Sequence, residues 1–221
     1  MKYDVLCPLP HAQPFDIRSF GARSRSLIIG ERRVWNVKNN VRMIRHHLNN
    51  RFVEEADVFI CADERSAETY RDEFPTAHIV GIYEPEQNVL YEEMRKRAEH
   101  YDTDEYDTGP NLLLVADPII FTRGSNLVDL IFDEKKCDKY RLGMIVRMNY
   151  PLSINPKYID HFGYLIIAND TYHKNRQVLA LNYLSADYHY LNRVLDCVTS
   201  EEDKALVVDS IYRRLCWLKL I

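Results

Sequence analysis

The chain has 221 residues, is 46% hydrophobic and 28% charged, and carries a formal net charge of -4. That length suits one well-buried domain, and the mildly acidic balance argues against a dedicated nucleic-acid coat. No apolar run is long enough to span a membrane, and the start MKYDVLCPLPHAQPFD lacks the basic-flanked apolar core of a secretory signal.

Residues 1–25, with Pro8, Pro10 and Pro14 and the polar turn GARSRS, read as an irregular N-terminal arm. Leu27-Ile28-Ile29 is a short strand ending at Gly30, followed by a polar turn and an amphipathic helix to about Leu48. Asp57–Ala62 (DVFICA) suits a buried strand, and Glu64–Glu73 a helix stopped before Pro75. Ala77–Tyr83 is a third strand. Glu84-Pro85 opens a helix with an apolar stripe on Val89, Leu90 and Met94, because proline is tolerated in a first helical turn. Tyr101–Pro110 is an acidic surface loop leading to Leu112–Asp117 (LLLVAD), an apolar strand ending on a carboxylate.

Gly124–Phe132 reads as a helix, Lys135–Arg141 as a charged link, and Leu142–Tyr150 as a strand ending before Pro151. Ser153–Asp160 is a short connection and Phe162–Ala168 a further strand. Asp187–Val198 fits a helix and Ala205–Asp209 a last strand. Strands alternating with helices predict an α/β fold, a mostly parallel sheet with helices on both faces. The expected organisation is an arm over 1–25, one domain over 26–210 and a tail over 211–221. The tail, IYRRLCWLKLI, reads either as a docking element or as the completion of the core.

Strand, turn and helix around Gly30 is the layout of a phosphate-binding loop, whose working form is G-x-x-x-x-G-K-[ST]. Counted from Gly30, the second glycine, the lysine and the hydroxyl fall on Trp35, Asn36 and Val37. An indole then stands where phosphates need space, an amide where they need charge, and an isopropyl group where magnesium needs a hydroxyl. Arg32, Arg33 and Lys38 read either as a solvated basic face or as anion-binding groups at a helix N-terminus.

Asp117 can be a turn former, a helix cap, or the magnesium-positioning aspartate of a phosphate-loop ATPase. Pro118 follows it, where a second acidic residue would activate water. Asn149 is either a phosphate sensor or a turn cap before Pro151. The five cysteines, Cys7, Cys61, Cys137, Cys197 and Cys216, show no C-x-x-C spacing, which points to a reducing compartment. Cys61 and Cys197 read as packing residues, and the histidines, His46-His47 included, give no metal spacing.

From Gln13 to about Asp209 the chain resembles the poxvirus-type genome-packaging ATPases of large DNA viruses, in the FtsK/HerA group of phosphate-loop motors. The resemblance lies in PFDIRSFGARSRSLIIGERR, FPTAHIVGIYEPEQ, IVRMNYPLSINPKYIDHFGYLIIA and YLNRVLDCVTSEEDKALVVD. It implies a three-layer P-loop NTPase-like fold and a degenerate member without an intact Walker A motif. The family's candidate arginine finger is similar in place to Lys136-Cys137-Asp138, where no arginine stands.

The resemblance further implies a catalytically inactive homologue acting as a structural or regulatory subunit in virion assembly or genome packaging. It would use neither ATP nor magnesium. Its partners would be further copies or viral packaging and capsid proteins, in the host-cell cytoplasm or the virion. Two alternatives stand beside it. One is an ATP-binding or active ATPase that uses Lys38, with Asp117 as the magnesium ligand. The other is a viral interaction module without nucleotide, touching DNA through Arg23, Arg25, Arg32 and Arg33.

Overall fold

The computed structural model describes residues 13–101, 111–121, 124–151, 159–168, 173–184, 188–198, 203–212 and 214–221. Of the expected loop over 101–110, Tyr101 ends a helix and the rest lies outside the described residues, as does most of the connection over 153–160. Nine strands and seven α-helices are described, and they fall into two compact units.

The first unit comprises the described residues of 1–17, 26–39 and 148–221. Its strands are β1 (Gln13–Pro14), β2 (Arg25–Ile29), β7 (Tyr164–Ala168), β8 (Lys204–Asp209) and β9 (Arg214–Lys219), in the order β1-β9-β8-β7-β2. β2 pairs parallel with β7, Ser26 opposite Tyr164, and β1 pairs parallel with β9. β8 runs antiparallel to both β7 and β9. The tail thus supplies a strand whose Leu215, Cys216 and Leu218 are buried, which favours completion of the core over docking. Helices α6 (His173–Val178) and α7 (Tyr188–Val198) belong here, with a π-helical turn at Leu179–Tyr183.

The second unit comprises residues 18–25 and the described residues of 40–147. Its strands are β3 (Val58–Ala62), β4 (His78–Val80), β5 (Leu112–Asp117) and β6 (Leu142–Met148), in the order β6-β5-β3-β4 and all parallel. Every residue of β3, β5 and β6 is buried, the continuous apolar reading expected of parallel strands covered on both faces. Helix α1 (Val37–Asn49) runs into this unit from Asn40 onward. α2 (Glu64–Glu73), α3 (Glu84–Tyr101), α4 (Asn126–Ile131) and α5 (Glu134–Lys139) follow. The whole is a mostly parallel nine-strand α/β fold.

Two local expectations are corrected. The charged link over 135–141 is largely helix α5, because Asp133 caps it through Lys136 N–H and Cys137 is buried beneath, donating to the Leu130 carbonyl. On α3, Leu90 and Met94 are buried but Val89 is 53% exposed, so the apolar stripe is narrower than its spacing suggested.

Candidate functional site

In the first unit β2 delivers the chain to Gly30, whose N–H donates to the Met148 carbonyl at 2.9 Å. A Cβ on Gly30 would lie 2.6 Å from the Cβ of Ala168, so close packing against the end of β7 requires this glycine. The next residues form a single turn, with the N–H groups of Val34 and Trp35 both donating to the Glu31 carbonyl (3.0 and 2.8 Å). That turn aims Trp35 inward, where its side chain is 1% exposed. The indole is core.

Asn36 then caps α1. Its Oδ1 accepts from Lys38 N–H at 2.9 Å, and its carbonyl accepts from Asn39 N–H at 3.1 Å. Helix N-termini are ready anion sites because their first N–H groups lack intrahelical partners. Here two of those donors are already satisfied. The C-terminal segment closes on the same turn: Asn36 Nδ2 donates to the Ile221 carbonyl at 2.5 Å, and Ile221 N–H donates to Asn39 Oδ1 at 3.0 Å. Val37 opens the helix and is half-buried. Arg33 pairs with Glu31 at 2.8 Å, Arg32 is half-buried, and Lys38 is exposed, with no ion pair among the described residues.

In the second unit Asp117, 2% exposed, ends β5. Its Oδ1 accepts from Nε of Arg147 on β6, a guanidinium that is itself 1% exposed. Its Oδ2 accepts from the Tyr70 hydroxyl on α2 at 2.6 Å, and that hydroxyl accepts in turn from Asn40 Nδ2 on α1 at 3.0 Å. Burial first, and the adjacent carboxylate second, hold the Tyr70 hydroxyl well above its usual pKa, so it remains a donor. Burial, reinforced by Glu86 and Asp117, pushes the Cys61 thiol up to about 12, leaving no thiolate for nucleophilic work. Pro118, joined to Asp117 by a cis peptide bond, is buried.

These residues do not fit magnesium. The Arg147 guanidinium bonded to Oδ1 already compensates the carboxylate and would repel a divalent cation there, and Oδ2 accepts from Tyr70. The residue after it is a proline. Among the described residues no group of three His, Cys, Asp or Glu side chains is placed to hold a metal.

The remaining residues singled out from the sequence are dispersed. Asn149 is exposed in the bend after β6. Arg25 is only 8% exposed and bonded to Asp138 and the Leu142 carbonyl, while Arg23 donates to Asn111 Oδ1 at 3.1 Å. Arg33, also considered for DNA, is paired with Glu31. Lys136-Cys137-Asp138 lies in α5, where Cys137 packs and Asp138 serves Arg25. Tyr70, Asn40 and Arg147 were not anticipated. Arg147 alone carried a signal, as a charge inside the apolar strand LGMIVRM.

The nine-strand, mostly parallel α/β fold is P-loop NTPase-like, as in the solved structures that match it. No protein-family model matches the chain, and no curated protein matches it by sequence. Solved structures do match. The DNA-packaging ATPase B204 of Sulfolobus turreted icosahedral virus is 13% identical with a TM-score of 0.63, over 90% of this chain and 98% of that one. The genome packaging NTPase B204 of Sulfolobus turreted icosahedral virus 2, in complex with ATP-gammaS, is 11% identical with a TM-score of 0.62, over 91% and 100%. The pCW3 conjugation coupling protein TcpA, as monomer with ATPgS, is 11% identical with a TM-score of 0.50, over 90% of this chain and 60% of its own. Among the described residues no helix is long and apolar enough to cross a membrane.

Proposed function

We propose that the chain is a genome-packaging-ATPase homologue that does not hydrolyse nucleotide and acts as a structural or regulatory subunit in virion assembly or genome packaging. The observation that carries this reading is the loop after β2. Trp35 is buried at the place of the second glycine, and Asn36 caps α1 at the place of the phosphate-binding lysine. Phosphoryl transfer depends almost wholly on positioning and charge stabilisation, and removing one such donor lowers turnover by ~100-fold or more. Glycine, lysine, hydroxyl and second carboxylate are all replaced here.

ATP and magnesium are not cofactors under this reading. The packaging role is supported by the shared fold with B204, a DNA-packaging ATPase. Partners are further copies of the chain or viral packaging and capsid proteins, in the host-cell cytoplasm or the virion. The test is phosphate release by the full chain with magnesium and ATP. No turnover above the rate without protein is expected, and magnesium-dependent turnover abolished by Asp117→Asn overturns the proposal.

A second reading, an ATP-binding or active ATPase using Lys38, draws support from the exposed position of that ammonium, unpaired among the described residues, in the first turn of α1. It requires ATP to raise the melting temperature and Lys38→Ala to abolish that rise. An ATP response that persists in Lys38→Ala, or no response in the parent chain, rejects it.

A further inference from the structure

Asp117 is a buried carboxylate with a complete set of partners drawn from three elements: Arg147 on β6, Tyr70 on α2 and, through Tyr70, Asn40 on α1. A lone buried carboxylate is strongly disfavoured, so a chain that retains one must compensate its charge. In phosphate-loop enzymes a divalent cation brings positive charge to the aspartate at this strand end. Here the guanidinium bonded to Asp117 Oδ1 brings it, and Tyr70 takes Oδ2. We propose that Arg147 is the resident cation of Asp117, standing in for a divalent ion, and that removing its charge turns Asp117 and Tyr70 into a site for a hard divalent cation.

The inference deepens the reading of the chain as a non-hydrolysing homologue and rests on it. Arg147 is a good substitute in physical terms. A planar guanidinium presents a rigid fork of donors that matches a carboxylate, and it is weakly hydrated enough to be buried beside one. Truncating it to alanine leaves a buried carboxylate, a neighbouring phenol and the space the guanidinium filled. Magnesium-type ions use one or two carboxylates and otherwise keep their waters, so that space would hold the ion with part of its hydration shell.

The probe is Mn2+, followed by the loss of its free-ion paramagnetic resonance signal on titration with the full-length chain. Wild type should leave Mn2+ free. Arg147→Ala should take up one ion per chain, and Arg147→Ala/Asp117→Asn should lose that uptake. The melting temperature of Arg147→Ala should rise with Mn2+ while that of wild type stays fixed. If Arg147→Ala is unfolded without metal, its circular dichroism should recover when Mn2+ is added, and failure to recover counts against the proposal. Wild type gives an independent check: Mn2+ uptake removed by Asp117→Asn in the otherwise native chain overturns it, as does a folded Arg147→Ala that leaves Mn2+ free. Neither outcome bears on ATP turnover by wild type, which is the separate test of the non-hydrolysing reading.

Discussion

Trp35 is the residue whose role divides a filled loop from an open one, and Trp35→Ala tests it. The indole is 1% exposed, among the largest fully buried side chains described. Truncating a fully buried tryptophan to alanine typically costs ~3–5 kcal/mol, from lost burial and the cavity left behind. Against a total stability of ~5–15 kcal/mol for an ordinary domain, that is a fifth or more. Urea unfolding gives the number, and fluorescence gives an independent view. The chain has two tryptophans, and Trp217 is half-buried with the Lys204 ammonium 4.7 Å from its ring centroid. In a Trp217→Phe background the emission belongs to Trp35 alone and should be blue-shifted, and magnesium with ATP should leave it unchanged. A loss under ~1 kcal/mol for Trp35→Ala would place the indole outside the core. An ATP-induced shift of Trp35 emission would show that the loop opens to nucleotide. Either result refutes the packing argument.

Gly30→Ala would drive a Cβ to 2.6 Å from Ala168 Cβ, so thermal melts should show a loss of ~1–3 kcal/mol that Ala168→Gly largely relieves. Asn36→Ala removes the cap of α1 and should cost ~1 kcal/mol, with faster hydrogen exchange at the Lys38 amide; Asn36→Asp keeps the acceptor and restores most of it. His47 is buried, its Nδ1 lacks a hydrogen-bond partner among the described residues, and burial, with His46 beside it, lowers its pKa to about 4 from 6.5. Its folded pKa lies below the unfolded one, so the unfolded chain binds the extra proton between those values. Its contribution is present above pH 6.5 and falls away towards pH 4, by ~3 kcal/mol in all. His47→Leu should flatten that acid limb in urea melts at stepped pH, and an unchanged limb rejects the assignment.

The fully buried parallel strands were legible because they are continuous apolar runs; β5 occupies the expected Leu112–Asp117 and β3 all but one residue of Asp57–Ala62. The strand, turn and helix around Gly30 were legible from the apolar run Leu27-Ile28-Ile29 and the polar turn after it, and under the proposed reading Trp35, Asn36 and Val37 stand where the motif has glycine, lysine and hydroxyl. What the side chains do there was not legible. Periodicity does not say that Trp35 turns inward, nor that Asn36 satisfies N–H groups a phosphate would otherwise take. α5 was misread because charge was weighed above Asp133, a capping residue three positions before Lys136. Arg23 and Arg25 looked like a basic patch because their partners, Asn111 and Asp138, are 88 and 113 residues away in the chain.

Under the proposed non-hydrolysing reading, loss of catalysis by subtraction and by filling would give different molecules, and Arg147 separates the two. Subtraction leaves a vacant cradle and an uncompensated carboxylate, and restoring the missing side chains should then restore the chemistry. In this chain Asp117 is bonded to the buried Arg147 guanidinium, and α1 is capped by Asn36, which is what filling would leave. Returning only the loop, with Trp35→Gly, Asn36→Lys and Val37→Ser, reconstitutes the phosphate-binding pattern but leaves Arg147 on the carboxylate. That triple variant should therefore remain without magnesium-dependent ATP hydrolysis in the phosphate-release assay. The guanidinium would still occupy Asp117 Oδ1, and Pro118 would still stand in place of the base. Magnesium-dependent turnover by the triple variant would show that Arg147 yields Asp117 to a metal when nucleotide is present, and would sink the filled-site argument.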